Sequence, residues 1–150
     1  MIRRFLFLLA VILLGTTISF AQLREIPKAV KDSFAAQYSG AAEPEYFDNI
    51  VNVQVKFAQN NEKKMATYSN KGQWRETEQD WDFEKLNSDV KDGFGKSKYS
   101  SDEWKVVETK IVTRPGTKEL FRVKVQKNEV QKKYLFFNEN GRLVTESITL

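Results

Sequence analysis

The sequence predicts an α+β fold: two tandem helix-plus-four-stranded antiparallel sheet repeats, with the helices packed on one face of the sheet. Three observations predict it. The string Val30-Lys31-Asp32-Ser33-Phe34 returns as Val90-Lys91-Asp92-Gly93-Phe94, 60 residues on. An apolar stripe at helical spacing opens each half. Alternating apolar and polar residues follow, broken by turns that carry Asn and Gly.

The elements begin after a leader. Met1-Ile2-Arg3-Arg4 is cationic, Phe5 to Gly15 is apolar, and Ser19-Phe20-Ala21 offers small residues at a cleavage site. This is the pattern of a secretory signal peptide over residues 1–21, cut between Ala21 and Gln22. The apolar stretch is short for a membrane span, so no stable insertion is expected after cleavage. The first unit then runs over residues 22–81 and the second over residues 82–150.

In the first unit Pro27 suits an opening turn, and Ile26, Val30, Phe34 and Tyr38 form one stripe that Ser39-Gly40 ends. In the second, Asp82 can cap the start and Leu86, Val90 and Phe94 repeat the stripe. Gly93 and Gly95 are expected to weaken this helix, each by up to about 1 kcal/mol. A first strand follows each helix, near Glu45–Asp48 and Glu103–Val112. Val51, Val53, Val55 and Phe57 then alternate with Asn52, Gln54 and Lys56, the mark of a half-buried strand. Asn60-Asn61 reads as a two-residue turn, setting Val55 opposite Ala66 and Val53 opposite Tyr68. By the same logic Asn128-Glu129 sets Val123 opposite Tyr134 and Phe121 opposite Phe136. Trp74–Glu78 and Leu143–Leu150 close the two units.

Composition removes whole classes of chemistry. The chain has no Cys and no His. It therefore has no disulfide framework, thiol nucleophile, imidazole base or usual zinc ligand. The net charge of +4 falls to +2 once Arg3 and Arg4 leave with the leader. That balance gives no argument for nucleic acid. The remaining basicity lies in residues 82–150, with 14 basic against 11 acidic residues. No phosphate loop or nucleophile elbow occurs, and no cofactor is implied.

Ile26-Pro27-Lys28-Ala29-Val30-Lys31-Asp32-Ser33-Phe34, with Tyr38-Ser39-Gly40-Ala41, resembles the opening motif of the periplasmic PepSY-like proteins, also described as β-lactamase-inhibitor-like. Asn70-Lys71-Gly72-Gln73-Trp74 and Asn138-Glu139-Asn140-Gly141-Arg142-Leu143 resemble that family's Asn-Gly hairpin. The resemblance spans the mature chain as two tandem units. It implies an envelope or secreted location and no established activity. The namesake inhibitor clasps its enzyme with an open sheet face and inserts an acidic hairpin. Here the corresponding hairpin, Ala58-Gln59-Asn60-Asn61-Glu62, has no Asp, and the disulfides are missing. These departures argue against carrying over the inhibitory mechanism.

If Val53, Val55, Phe121, Val123, Tyr134 and Phe136 face the helices, the opposite face shows Asn52, Gln54, Lys56, Thr67, Met65, Arg122, Lys124, Lys133, Leu135 and Phe137. Met65, Arg122, Lys124, Lys133, Leu135 and Phe137, with Trp81 in the connection, are the candidate partner-binding residues. An ordinary solvated sheet face is the alternative. Trp74 and Trp104 read as core, and Trp81 as packing or recognition. Asp80, Asp82 and Glu84 form an acidic cluster without the turn of a calcium loop. The sequence reads as an exported, non-catalytic binding or inhibitory module for an envelope protein or peptide, periplasmic or secreted. The alternative is a carrier or sensor of a small ligand or Ca²⁺. No catalytic residue and no metal ligand is assigned.

Overall fold

The computed structural model describes residues 24–116 and 118–148. The leader and its cleavage site lie outside the described residues. The order is α1 (Lys28–Gln37), β1 (Ala42–Asp48), β2 (Asn52–Gln59), β3 (Glu62–Ser69) and β4 (Trp74–Trp81). A 3-10 turn (Phe83–Lys85), α2 (Ser88–Gly95), β5 (Lys105–Thr113), β6 (Leu120–Gln126), β7 (Lys132–Phe137) and β8 (Leu143–Ile148) follow.

These strands form one eight-stranded sheet in strict chain order. That overturns the expected fold class. Two tandem helix-plus-four-strand repeats would leave the halves as separate sheets. Instead Thr77–Trp81 of β4 pairs antiparallel with Thr109–Thr113 of β5, so the ladder runs through the expected boundary. The helices are short, of 10 and 8 residues. The fold is mainly β. Short-range patterns reported each strand, but the strand-to-strand pairing that joins the halves spans about thirty residues and leaves no local mark.

Both helices lie on one face of the sheet, over two apolar clusters. Val30 and Phe34 of α1 pack on Val53, Val55, Phe57, Ala66 and Tyr68. The Phe34 and Phe57 rings meet edge to face, with centroids 5.0 Å apart. Leu86 and Val90 pack on Tyr99, Val123, Val125, Leu135 and Phe137. The caps differ from expectation. Asp82 accepts the Glu84 N–H and caps the 3-10 turn, whereas Asn87 accepts the Val90 N–H and caps α2.

The two glycines of α2 differ in kind. Gly95 has open space around it, but a Cβ on Gly93 would stand 1.8 Å from the Gly141 carbonyl oxygen. Gly93 thus lets the β7–β8 turn lie directly on the helix. Gly72 plays the same part for α1, where a Cβ would stand 2.4 Å from the Ala29 carbonyl oxygen.

The β2–β3 hairpin has the expected register. Val55 faces Ala66 and Val53 faces Tyr68. Asn60 and Asn61 hold φ of 55° and 63°, as a tight two-residue turn requires. The β6–β7 hairpin does not follow its expected register. Val123 faces Leu135 and Phe121 faces Phe137. The loop holds three residues, Asn128 to Val130, closed by a Lys127 N–H to Gln131 C=O bond of 3.0 Å. Asn128 Oδ1 accepts from both Val130 N–H and Gln131 N–H, at 3.0 and 2.7 Å. One extra loop residue turns every β7 side chain to the other face. Leu135 and Phe137 are therefore fully buried under α2. Tyr134 and Phe136 take the open face instead.

The β1–β2 turn carries strain. Ile50 has φ of 69° and is 78 % exposed. A β-branched residue pays for the left-handed region with close Cβ contacts. The turn is held from outside: Asp48 Oδ1 accepts the Ile50 N–H at 2.8 Å, and Asn70 Nδ2 donates to the Ile50 carbonyl at 2.7 Å. Arg24 in turn clamps Asp48 with bonds of 2.6 and 2.9 Å. Asn accepts this conformation readily, and the exposed Ile side chain packs little. Ile50→Asn is therefore expected to raise stability by about 1 kcal/mol. The urea midpoint checks this; a fall in midpoint would show that the turn is not strained.

Candidate functional site: the open sheet face

The face away from the helices is built by alternate residues of every strand. Directly opposed residues share a face, so the ladder registers define rows across it. One row runs Met65, Glu78, Val112, Leu120. The next runs Asp80, Lys110, Arg122, Phe136, Thr145. A third runs Glu108, Lys124, Tyr134, Ser147.

The centre is an ionic network. Glu78 and Arg122 are each only 8 % exposed. Arg122 grips Glu78 through Nη1 to Oε1 and through Nη2 to Oε2, the latter 3.2 Å. Its Nη2 also donates to Glu108 Oε1 at 3.1 Å. Lys110 Nζ lies 3.1 Å from Glu78 Oε2 and 3.4 Å from Asp80 Oδ1. Burial by itself would lower the pKa of both cations, but the facing carboxylates, Glu78 first, raise Lys110 and Arg122 above their ordinary values. Both stay charged.

Aromatic rings sit beside this network. The Arg122 guanidinium lies 4.5 Å from the Tyr134 ring centroid, and Lys124 Nζ lies 5.3 Å from the same ring. Arg114 lies 4.9 Å from the Phe136 centroid and bonds Glu76 at 2.9 Å. These contacts are cation–π pairs. Val112 is fully buried on this face although neither helix covers it.

Cations surround the neutralised centre. Among the described residues Lys56, Lys63, Lys124 and Lys132 enter no ion pair. Lys56, Lys63 and Met65, with Glu78 and Lys110, line a hollow of about 310 Å³. The face therefore offers fixed charge in the middle, aromatic surface on one side and free lysines toward its margins.

Of the sequence candidates, Met65, Arg122 and Lys124 lie on this face. Leu135 and Phe137 do not, because of the β6–β7 register. Lys133 follows them: it faces Val125, approaches the Tyr99 ring at 6.0 Å and lies 3.4 Å from Glu146. Trp81 also lies on the helix side, packed at the margin of the second cluster. Its indole N–H is buried without a partner in the protein, as is the Thr109 hydroxyl across the ladder.

Sequence reasoning missed Glu78, Glu108, Lys110, Tyr134 and Phe136. A signal for the two aromatics existed. Val53 and Phe121 lie 68 residues apart, but Gly72 and Gly141 lie 69 apart. One residue must therefore enter between them, and a longer β6–β7 loop supplies it.

The acidic cluster of the sequence disperses. Asp80 turns to Lys110, Asp82 caps the 3-10 turn, and Glu84 pairs with Lys91 at 3.2 Å. Among the described residues no group of three or more carboxylates converges as a metal site. No described helix is long and apolar enough to cross a membrane.

No known protein family matches this sequence, and no curated protein matches it either. Solved structures do. The chain is similar to a DUF2874 family protein from Bacteroides ovatus, at 24 % identity over 83 % of this chain and 89 % of that one, with a TM-score of 0.70. It is similar to a provisionally periplasmic protein from Bacteroides eggerthii, at 17 % identity, 83 % and 90 % coverage and a TM-score of 0.67. It is also similar to a BLIP-like protein from Bacteroides fragilis, at 22 % identity, 85 % and 89 % coverage and a TM-score of 0.71. None of these neighbours brings in the PepSY-like proteins. What the likeness establishes is the architecture: this chain has the BLIP-like fold.

Proposed function

We propose that this is an exported, non-catalytic binding module that grips an envelope protein or peptide with the open face of its sheet. The observation that carries the reading is the Arg122–Glu78–Glu108–Lys110 network beside Tyr134 and Phe136. It fixes a charged and aromatic surface in place before any partner arrives, so little ordering entropy is lost on contact. The BLIP-like neighbours support a protein partner, and the periplasmic neighbour supports an envelope location. The hairpin motifs that resemble the PepSY-like proteins agree with that location. An inhibitory outcome would follow if the bound partner were an enzyme.

Immobilised protein should recover a partner from periplasmic extract. A Lys124→Glu/Tyr134→Ala variant should lose it, since it reverses one free cation and removes its ring. A helix-side control, Lys28→Glu, should recover it normally. Circular dichroism checks that all three are folded. Equal recovery by the open-face variant would refute the face named here.

A further inference from the structure

We propose that β8 is a pairing edge, and that two copies of this chain join β8 to β8, antiparallel, in a closed dimer. The sheet has only two edges, β1 and β8. They are built differently. β1 carries Pro44, a register irregularity between Ala42 and Glu45, a left-handed Glu43 with φ of 52°, and the acids Glu43, Glu45 and Asp48. Proline, bulges and charges are the devices that stop an edge from pairing. β8 has no proline, glycine or lysine, and all six of its residues are exposed. Leu143, Val144 and Ile148 are 37 %, 53 % and 69 % exposed. Thr145 to Ile148 keep a regular register with β7, so the strand is presented straight. Its single charge, Glu146, is already engaged by the Tyr99 hydroxyl at 2.8 Å and by Lys133.

The contrast between the edges selects the occupant. Along β8, alternate N–H and C=O groups point away from β7 and need a strand-shaped acceptor. Joining β8 to β1 of a second copy would repeat without end and give a fibre. The blocked β1 edge forbids that. Joining β8 to β8 about a two-fold axis uses both open edges and leaves none. It also keeps the antiparallel sense of all seven existing ladders. This contact is separate from the open face, so it can fail or hold independently of the binding function.

Sedimentation of the purified protein across the micromolar to submillimolar range tests it. The weight-average mass should rise to twice the monomer's. Hydrogen exchange of β8 amides should slow as concentration rises while exchange in β2 and β3 is unchanged. Val144→Lys/Ile148→Lys places lysines on the exposed edge and should hold the mass at the monomer's. Lys124→Glu, on the open face, should dimerise normally. A monomer at every concentration would overturn the proposal. So would a dimer that survives the lysine pair, one that Lys124→Glu abolishes, or one whose β8 amides exchange at the monomer's rate.

Discussion

Alanine at Gly141 should destabilise this protein by about 3 kcal/mol or more, a loss set by steric overlap and left-handed backbone together. A Cβ there would stand 1.9 Å from the Asp89 carbonyl oxygen and 2.5 Å from its carbon. Both atoms belong to helix backbone and cannot swing aside. Gly141 also holds φ of 74°. Relief requires α2 to lift, and α2 carries Val90, which is wholly buried. Gly93→Ala should cost a comparable amount, because it strikes the same contact from the helix side. The double variant should cost less than the sum, since one contact can be broken only once. Gly95→Ala is the control: nothing lies within 4 Å of it, and the helix should gain up to about 1 kcal/mol. Urea denaturation reads all four. A loss below about 1 kcal/mol for Gly141→Ala would show that the turn and helix are not in this contact.

The second large effect belongs to Glu78. Glu78→Ala should cost about 3 kcal/mol, because it leaves Arg122 buried and Lys110 without its nearest carboxylate. Glu108 still touches Arg122, which keeps the loss toward the lower end. Exchanging both partners, as Glu78→Leu/Arg122→Met, should cost far less than either change alone, since no buried charge is then stranded. A double-mutant cycle by thermal unfolding measures the coupling. A strictly additive cycle would show that the pair does not act as a unit. The pH dependence has a definite sign. Lys110 has a raised pKa, so its contribution is complete below the ordinary lysine range and is lost only as pH climbs through the folded value. The network should therefore loosen on the alkaline side through Lys110.

Much of this was legible in the residues, and what was hidden has physical reasons. The strand pattern of Val53, Val55 and Phe57 and the Asn60-Asn61 turn gave the β2–β3 hairpin with its register. There alternation was clean and the turn type was forced by Asn at positive φ. β7 reads Tyr134-Leu135-Phe136-Phe137, apolar on both faces, so alternation could not choose between them. The choice fell to loop length, and one residue moved Leu135 and Phe137 from the open face into the core. The tyrosine hydroxyl favours the wet face, a weak cue that agrees with the structure. The β4–β5 ladder was not legible, because no local periodicity records which distant strand is a neighbour. The ionic centre was hidden for the same reason: Glu78 and Arg122 lie 44 residues apart and meet only across that ladder.

The strict chain order of the sheet has a consequence for how the molecule is made. Every strand pairs with the one before it, so six of the seven ladders close through short connections. Only β4 to β5 must wait while α2 and its flanks are placed between them. Loop closure is entropically cheap at each short step and grows only slowly with length at the long one. For a protein so rich in strand, the sequence separation of its contacts is low, which is the condition for rapid folding. A chain that crosses a membrane unfolded and must collapse on the far side, with no disulfide to guide it, gains most from a sheet that can be laid down in the order in which it emerges.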